Sequence, residues 1–300
     1  VGEHGGIAQS KLTINENSTL VTETNKLTIT DDVYGIVNSG TIILTGGSSA
    51  NAQVLEEVIS GGTKGTLIID GFVDAKSSIN NAIVVNEYRA LTIGADDIDG
   101  SVKDNGKVIL GSGTLEQVIN GTGNIEVAGE VVTDVDNVAN DGTFVLNDGK
   151  ITLTNNEDFS SEWKKEITGK GDIVIGDGET DTKLTTKFID IADNVDGKLF
   201  VAAESHLTLA QDTVLTKDIG GDGTTIIDGT LIVHDDKAIS GTLDGNEQTI
   251  DMISGGTVNT LTIGTLKGNI NLKLDVDLAS LTSDKLDVGI VDGSAVINVA

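Results

Sequence analysis

Residues 140–154, N-D-G-T-F-V-L-N-D-G-K-I-T-L-T, read as two short β-strands with a turn between them. Thr143-Phe144-Val145-Leu146 and Ile151-Thr152-Leu153-Thr154 are β-branched, aromatic or aliphatic, the types that fit a pleated, half-buried surface. Asn140-Asp141-Gly142 and Asn147-Asp148-Gly149 supply residues that tolerate positive φ, so the chain can change direction sharply there. The same grammar extends toward the N-terminus through Lys11-Leu12-Thr13-Ile14, Leu20-Val21-Thr22, Lys26-Leu27-Thr28-Ile29-Thr30, Thr41-Ile42-Ile43-Leu44, residues 53–59, Thr66-Leu67-Ile68-Ile69, residues 82–85 and Ala90-Leu91-Thr92-Ile93. Short strands at this spacing predict an all-β fold. No stretch sustains an apolar i, i+3, i+4, i+7 pattern, so long helices are not expected. Residues 158–166, D-F-S-S-E-W-K-K-E, hold the single tryptophan and read as a helical turn or an ornamented loop. Residues 1–10 have no periodicity and read as a loose lead-in.

The chain also echoes itself. Residues 118–129, V-I-N-G-T-G-N-I-E-V-A-G, repeat the pattern of residues 58–71, V-I-S-G-G-T-K-G-T-L-I-I-D-G. Each is preceded by a Leu-Glu-X-Val segment, at 55–58 and 115–118. Residues 169–176 and 223–233 carry further echoes. Weak self-similarity of this kind is what a solenoid leaves in a sequence. A pair of antiparallel β-sandwiches also needs many short strands, but aromatic residues, which usually anchor sandwich cores, make up 3% of this chain. A single-stranded right-handed parallel β-helix fills a narrow interior with stacked Val, Ile, Leu, Ala and Thr, one layer per coil. At about 20 to 25 residues per coil, the chain accommodates about 12 to 15 coils.

Composition narrows the function. The formal charge is −28, from 47 acidic and 19 basic residues spread along the chain, and the sole arginine is Arg89. Nucleic acid and anionic membrane are poor partners for such a surface, because phosphate binding needs clustered Lys and Arg. The hydrophobic residues fall in regular short runs, which sets the chain apart from acidic disordered sequences. Cysteine is absent, which removes disulfides, thiol nucleophiles and Cys–zinc sites. Proline is absent too, beside 38 glycines; this suits a backbone committed to a continuous ladder, since proline removes a ladder donor. No apolar run approaches the roughly 18 to 20 residues of a membrane helix. The chain begins at Val1 without a basic n-region or an apolar h-region, as expected where any signal peptide has been removed.

The C-terminal stretch carries a more specific signal. Thr257-Val258-Asn259-Thr260-Leu261 leads through Leu266-Lys267-Gly268-Asn269-Ile270 to Leu272-Lys273-Leu274-Asp275-Val276-Asp277-Leu278. Ser283-Asp284-Lys285-Leu286-Asp287-Val288 and Asp292-Gly293-Ser294-Ala295-Val296-Ile297-Asn298-Val299 follow. This segment resembles the last passenger coils of pertactin-like autotransporters, with a D-K-L-x-V strand, a small-residue turn and a final strand. Lys267-Gly268-Asn269 has one glycine where that family has Gly-x-Gly. The resemblance implies β-helix passenger coils over residues 1–256. Over 257–300 it implies C-terminal coils like the junction region that helps the passenger fold. It further implies a secreted or surface-displayed domain, outer-membrane associated in a Gram-negative-type bacterium. The partners expected are host or neighbouring-cell surface molecules or a further copy of the chain, with no nucleic acid and no membrane insertion of this segment.

Catalytic signals are poor. The histidines are His4, His206 and His234, and Ser205, His234 and Asp235 are the residues from which a triad could be assembled. No G-x-S-x-G or similar nucleophile motif accompanies them, so they read as solvated strand-end residues. Glycoside hydrolysis needs two carboxylates about 5 to 9.5 Å apart; Asp96-Asp97, Asp134/Asp136 and Asp275/Asp277 are candidates, read as turn residues. Residues 220–228, G-G-D-G-T-T-I-I-D, partly match the calcium-binding nonapeptide, with Thr225 where the motif wants Asp. A tight turn is the expectation there. Asn17-Ser18-Thr19 and Asn120-Gly121-Thr122 match glycosylation acceptors and read as turns. The sequence therefore predicts a non-enzymatic scaffold for adhesion, self-association or biofilm, with no catalytic, metal or cofactor residues. A surface-layer or fibre subunit is the alternative, and a carbohydrate-active enzyme a more distant one.

Overall fold

Thr66–Ala75 shows how sequence becomes layer: its burial alternates without a break, with Leu67, Ile69, Gly71, Val73 and Ala75 turned inward. Strand side chains alternate between faces, so each apolar residue of such a run lands in the interior. Stacking the runs produces columns of like residues. In the computed structural model, which describes residues 12–27, 35–155, 161–254, 257–292 and 295–299, the strands stack in parallel register as a β-solenoid of about 13 turns. The expected lead-in at 1–10, Thr28-Ile29-Thr30, Asp158-Phe159-Ser160, Gly293-Ser294 and His4 lie outside the described residues. The chain divides into two compact units, Val1–Asn147 and Asp148–Ala300.

In the first unit one interior column runs Ile42, Leu67, Ile83, Val102, Ile119, Val138. A second runs Val73, Leu91, Val108, Ile125, Phe144. All of these side chains are buried, and full burial of one Val, Leu, Ile or Phe is worth about 1.5–3 kcal/mol. In the second unit the columns are Ile173, Leu199, Ile219, Ile239, Ile263 and Leu184, Leu207, Thr225, Leu243, Leu266. A third there runs Leu231, Ile250, Leu272. Backbone N–H and C=O groups pair with the coils before and after, which explains why a chain without proline suits this fold.

Several expectations need correction. Coils are shorter than 20 to 25 residues through the middle of the first unit: Leu67 pairs with Ile83, an offset of 16, and Val102 with Ile119, an offset of 17. Residues 140–154 are not two strands parted by a turn, because Phe144–Thr154 is one strand of 11 residues. Asp148 takes φ 53° within it, so the chain bends without leaving the ladder. The tryptophan segment is not a helical turn: Ser161–Trp163 is a strand. Trp163 is buried, and its indole N–H donates to Lys165 O at 2.5 Å. With Phe144 and Phe188 also buried, the interior does use aromatic anchors.

The echo between residues 58–71 and 118–129 is real in space. Leu55 and Leu115 are buried, as are Ile59 and Ile119, while Val58 and Val118 are exposed. Gly61 and Gly121 take φ +134° and +112°. A Cβ on Gly61 would lie 1.9 Å from Asn38 O, and one on Gly121 would lie 2.0 Å from Asp104 O. At both corners the backbone of one coil rests directly on the next.

Candidate functional site

The residues singled out for chemistry are not assembled. Ser205 is fully buried, and its Oγ donates to Ala203 O at 3.3 Å. His206, the next residue, opens the strand His206–Ala210 and is half-buried, with Nδ1 3.2 Å from Asp181 Oδ1. His234 and Asp235 are exposed in the turn after Thr230–Ile232, in a different sheet from His206–Ala210. Ser205 therefore faces the interior while His234 faces solvent, and no nucleophile–base pair forms between them.

The candidate carboxylates shape turns. Asp97 Oδ1 accepts from Ser78 Oγ at 3.1 Å, and Asp134 Oδ1 accepts from Asp136 N at 2.9 Å. Asp275 Oδ2 accepts from Ser254 N at 2.9 Å. Asp277 accepts from Ser280 Oγ at 2.6 Å and from Ala279 N at 2.8 Å; these bonds hold its carboxyl below the usual range. In the calcium-like segment Thr225 is buried between Leu207 and Leu243, while Asp222 and Asp228 are exposed. Among the described residues no three His, Asp or Glu side chains are placed to hold a metal ion.

One corner of the second unit concentrates perturbed groups that sequence reading missed. Ile189–Asp193 is a single π-helical turn, within a coil that spans 26 residues from Ile173 to Leu199. Burial pushes the Asp190 carboxyl up, Lys187 opposes the shift and Glu166 adds to it. Burial likewise pulls the Lys217 ammonium down, against Asp193 and Asp196. Lys217 Nζ donates to the carbonyls of Val195 and Gly197, Thr216 Oγ1 donates to Asp193 Oδ1 at 2.5 Å, and Asn194 Nδ2 donates to Glu166. The lysine is thus held on two backbone carbonyls, and the arrangement fastens an enlarged coil.

The surfaces offer more. On the outside of the first unit, Val21, Ile43, Ile68 and Val84 form an outward row across four coils. Beside it runs Thr19, Thr41, Thr66. In the second unit the layer of Lys285–Val291 and Ile297–Val299 is paired on one side among the described residues, and it exposes Ile290, Val291, Ile297 and Val299. The sequence signal for the outward row of the first unit is strand alternation carrying Ile or Val on each face. No helix among the described residues is long and apolar enough to cross a membrane.

In comparisons with known proteins, no family model, no curated protein and no solved structure matches this chain.

Proposed function

We propose that this chain is a non-enzymatic, surface-exposed or secreted passenger-type scaffold that works by adhesion or self-association, as autotransporter passengers of Gram-negative-type bacteria do. The observation that carries this reading is the outward Val21, Ile43, Ile68, Val84 row with its threonine neighbours. A solenoid needs apolar residues inside; this row lies outside, exposed at Val21 and half-buried at Ile43, Ile68 and Val84, and is surface a partner can cover. The acidic charge keeps such a surface soluble, and the candidate carboxylates already serve turns. The alternative is a self-assembling fibre or surface-layer subunit built from the same stacked coils.

The test is to display the chain on a non-adherent bacterial host and measure binding to cells and autoaggregation. Ile43→Lys/Ile68→Lys is expected to abolish both while circular dichroism and the melting transition stay close to wild type. Unchanged adhesion and aggregation in the folded variant would remove this face from the proposal. Sedimentation of the purified chain over a range of concentrations separates the readings: a fibre subunit assembles by itself, and an adhesin binds cells without assembling.

A further inference from the structure

Three corners of the first unit share one sequence pattern, apolar-x-Asn/Asp-x-Gly: Ile36-Val37-Asn38-Ser39-Gly40, Val102-Lys103-Asp104-Asn105-Gly106 and Val138-Ala139-Asn140-Asp141-Gly142. The third residue of each is fully buried. At the first corner Asn38 Oδ1 accepts from Gly40 N at 3.1 Å. Its Nδ2 crosses the layer of Gly61, which has no side chain, and donates to Asn81 Oδ1 at 2.9 Å. Asn81 Nδ2 donates in turn to Gly62 O at 3.0 Å.

The same construction recurs further along the unit. Asp104 Oδ1 accepts from Gly106 N at 3.0 Å, Gly121 occupies the intervening layer and Asn140 the one after it. Asn140 Nδ2 donates to Gly123 O at 2.8 Å. One atom differs. Where Asn38 presents an N–H, Asp104 presents Oδ2, and both Asp104 Oδ2 and Asn140 Oδ1 are buried without a hydrogen-bond partner. Two buried acceptors on either side of one empty layer are costly, and a single hydrogen between them resolves both.

We infer that in mildly acid conditions Asp104 is protonated in the folded first unit and that its carboxylic acid donates across Gly121 to Asn140 Oδ1, a proton-operated copy of the Asn38–Asn81 link. Burial independently pushes the Asp104 carboxyl up from 3.8 to about 6, opposed by the Gly106 N–H. The strands packed against it, Ala82–Val85 and Ile119–Gly121, carry no titratable side chain. Of the charged residues around the corner, Lys103, Glu87 and Asp141 are exposed, Arg89 pairs with Asp70 at 3.4 Å, and Lys107 pairs with Glu126.

The linkage has a definite sign. A carboxyl with a raised folded pKa contributes stability that is fully present below 3.8 and is lost as pH rises to about 6. The link is therefore made in mildly acid conditions and released toward neutrality.

The test is a carbon-detected NMR titration of the side-chain carboxyls in the full chain. The Asp104 midpoint is expected near 6, and a midpoint near the ordinary 3.8 overturns the inference. Asp104→Asn makes the donor permanent. At pH 7 its folding constant is expected to exceed wild type by roughly a hundredfold, at tenfold per pKa step, and the advantage should vanish below pH about 4. An advantage that does not vary with pH, or none at pH 7, overturns the inference. Asn140→Ala should lower the Asp104 midpoint by removing the acceptor; an unmoved midpoint means that burial alone holds the proton and overturns the link to Asn140. Stabilisation of wild type by sodium or calcium chloride that is lost in Asp104→Asn, with Asp104 ionised at pH 5, would assign the gap to a cation instead.

Discussion

Gly121→Ala is expected to destabilise the first unit by about 3–5 kcal/mol, combining backbone strain with overpacking. The added methyl would lie 2.0 Å from Asp104 O and 2.8 Å from Asp104 C, on a residue at φ +112°. Neither atom belongs to a flexible side chain, so relief requires the two coils to separate. Separation strains two ladder bonds: Gly123 N donates to Asp104 O at 2.9 Å, and Asp141 N donates to Gly121 O at 2.7 Å. Because solenoid coils are stabilised chiefly by their neighbours, the damage should spread from this corner along the unit. Gly111→Ala is the control. Its methyl would meet nothing nearer than Gly94 Cα at 3.5 Å, and its expected effect is within about 0.5 kcal/mol, as for substitutions away from special features. Urea unfolding of both variants, with hydrogen exchange at the Gly123 and Asp141 amides, checks the difference. Equal destabilisation would mean that the corner yields and that the close approach of these coils is not a constraint.

The columns of the interior were legible because alternation in T-I-I-L and T-L-I-I has one meaning once both faces of a strand are considered. Coil number followed from length, but coil size did not. Nothing in residues 66–85 announces that Leu67 and Ile83 pair only 16 residues apart, since corner tightness depends on contacts between coils. The bend at Asp148 was misread as a turn because N-D-G signals a change of direction without saying whether ladder bonds survive it. Trp163 precedes three charged residues, K-K-E, which break the apolar run a strand would show; the indole is inward because strand parity places it there. Asp104 was the most readable miss. In V-K-D its parity with Val102 turns it inward, and the matching I-V-N and V-A-N segments supply the precedent. An abundance of acids elsewhere hid it. The missing nucleophile motif already argued against a triad at Ser205 and His234, but which side of the wall each residue occupies depends on the coils and is not legible in the sequence.

Asp284→Ala is expected to cost the last coils of the second unit about 2–4 kcal/mol, the desolvation penalty of buried groups left without acceptors. Asp284 stands at the head of the D-K-L-x-V stretch and is buried. Its Oδ1 accepts from Asn259 N at 2.8 Å, and its Oδ2 accepts from Asp275 N at 2.6 Å. Asp284 N donates back to Asp275 O at 3.0 Å, and Lys285 N donates to Asn259 O at 2.9 Å. One carboxylate thus joins the strand Thr260–Lys267 at its entry, the base of the Val276–Asp277 and Thr282–Ser283 hairpin, and the strand Lys285–Val291. Charge-assisted bonds to backbone N–H groups are among the strong ones, so Asp284→Asn, which keeps one acceptor and turns a donor toward the other N–H, should fall between wild type and alanine. The hairpin exposes Leu278 and Leu281, which means that little apolar packing compensates once the clamp is gone. Hydrogen exchange at the Asn259 and Asp275 amides, with proteolysis across residues 276–283, reads the effect locally. Faster exchange and cleavage there in the order Ala, Asn, wild type is the expected result. If all three behave alike, the Leu261–Leu286 and Ile263–Val288 pairs hold these coils without the clamp.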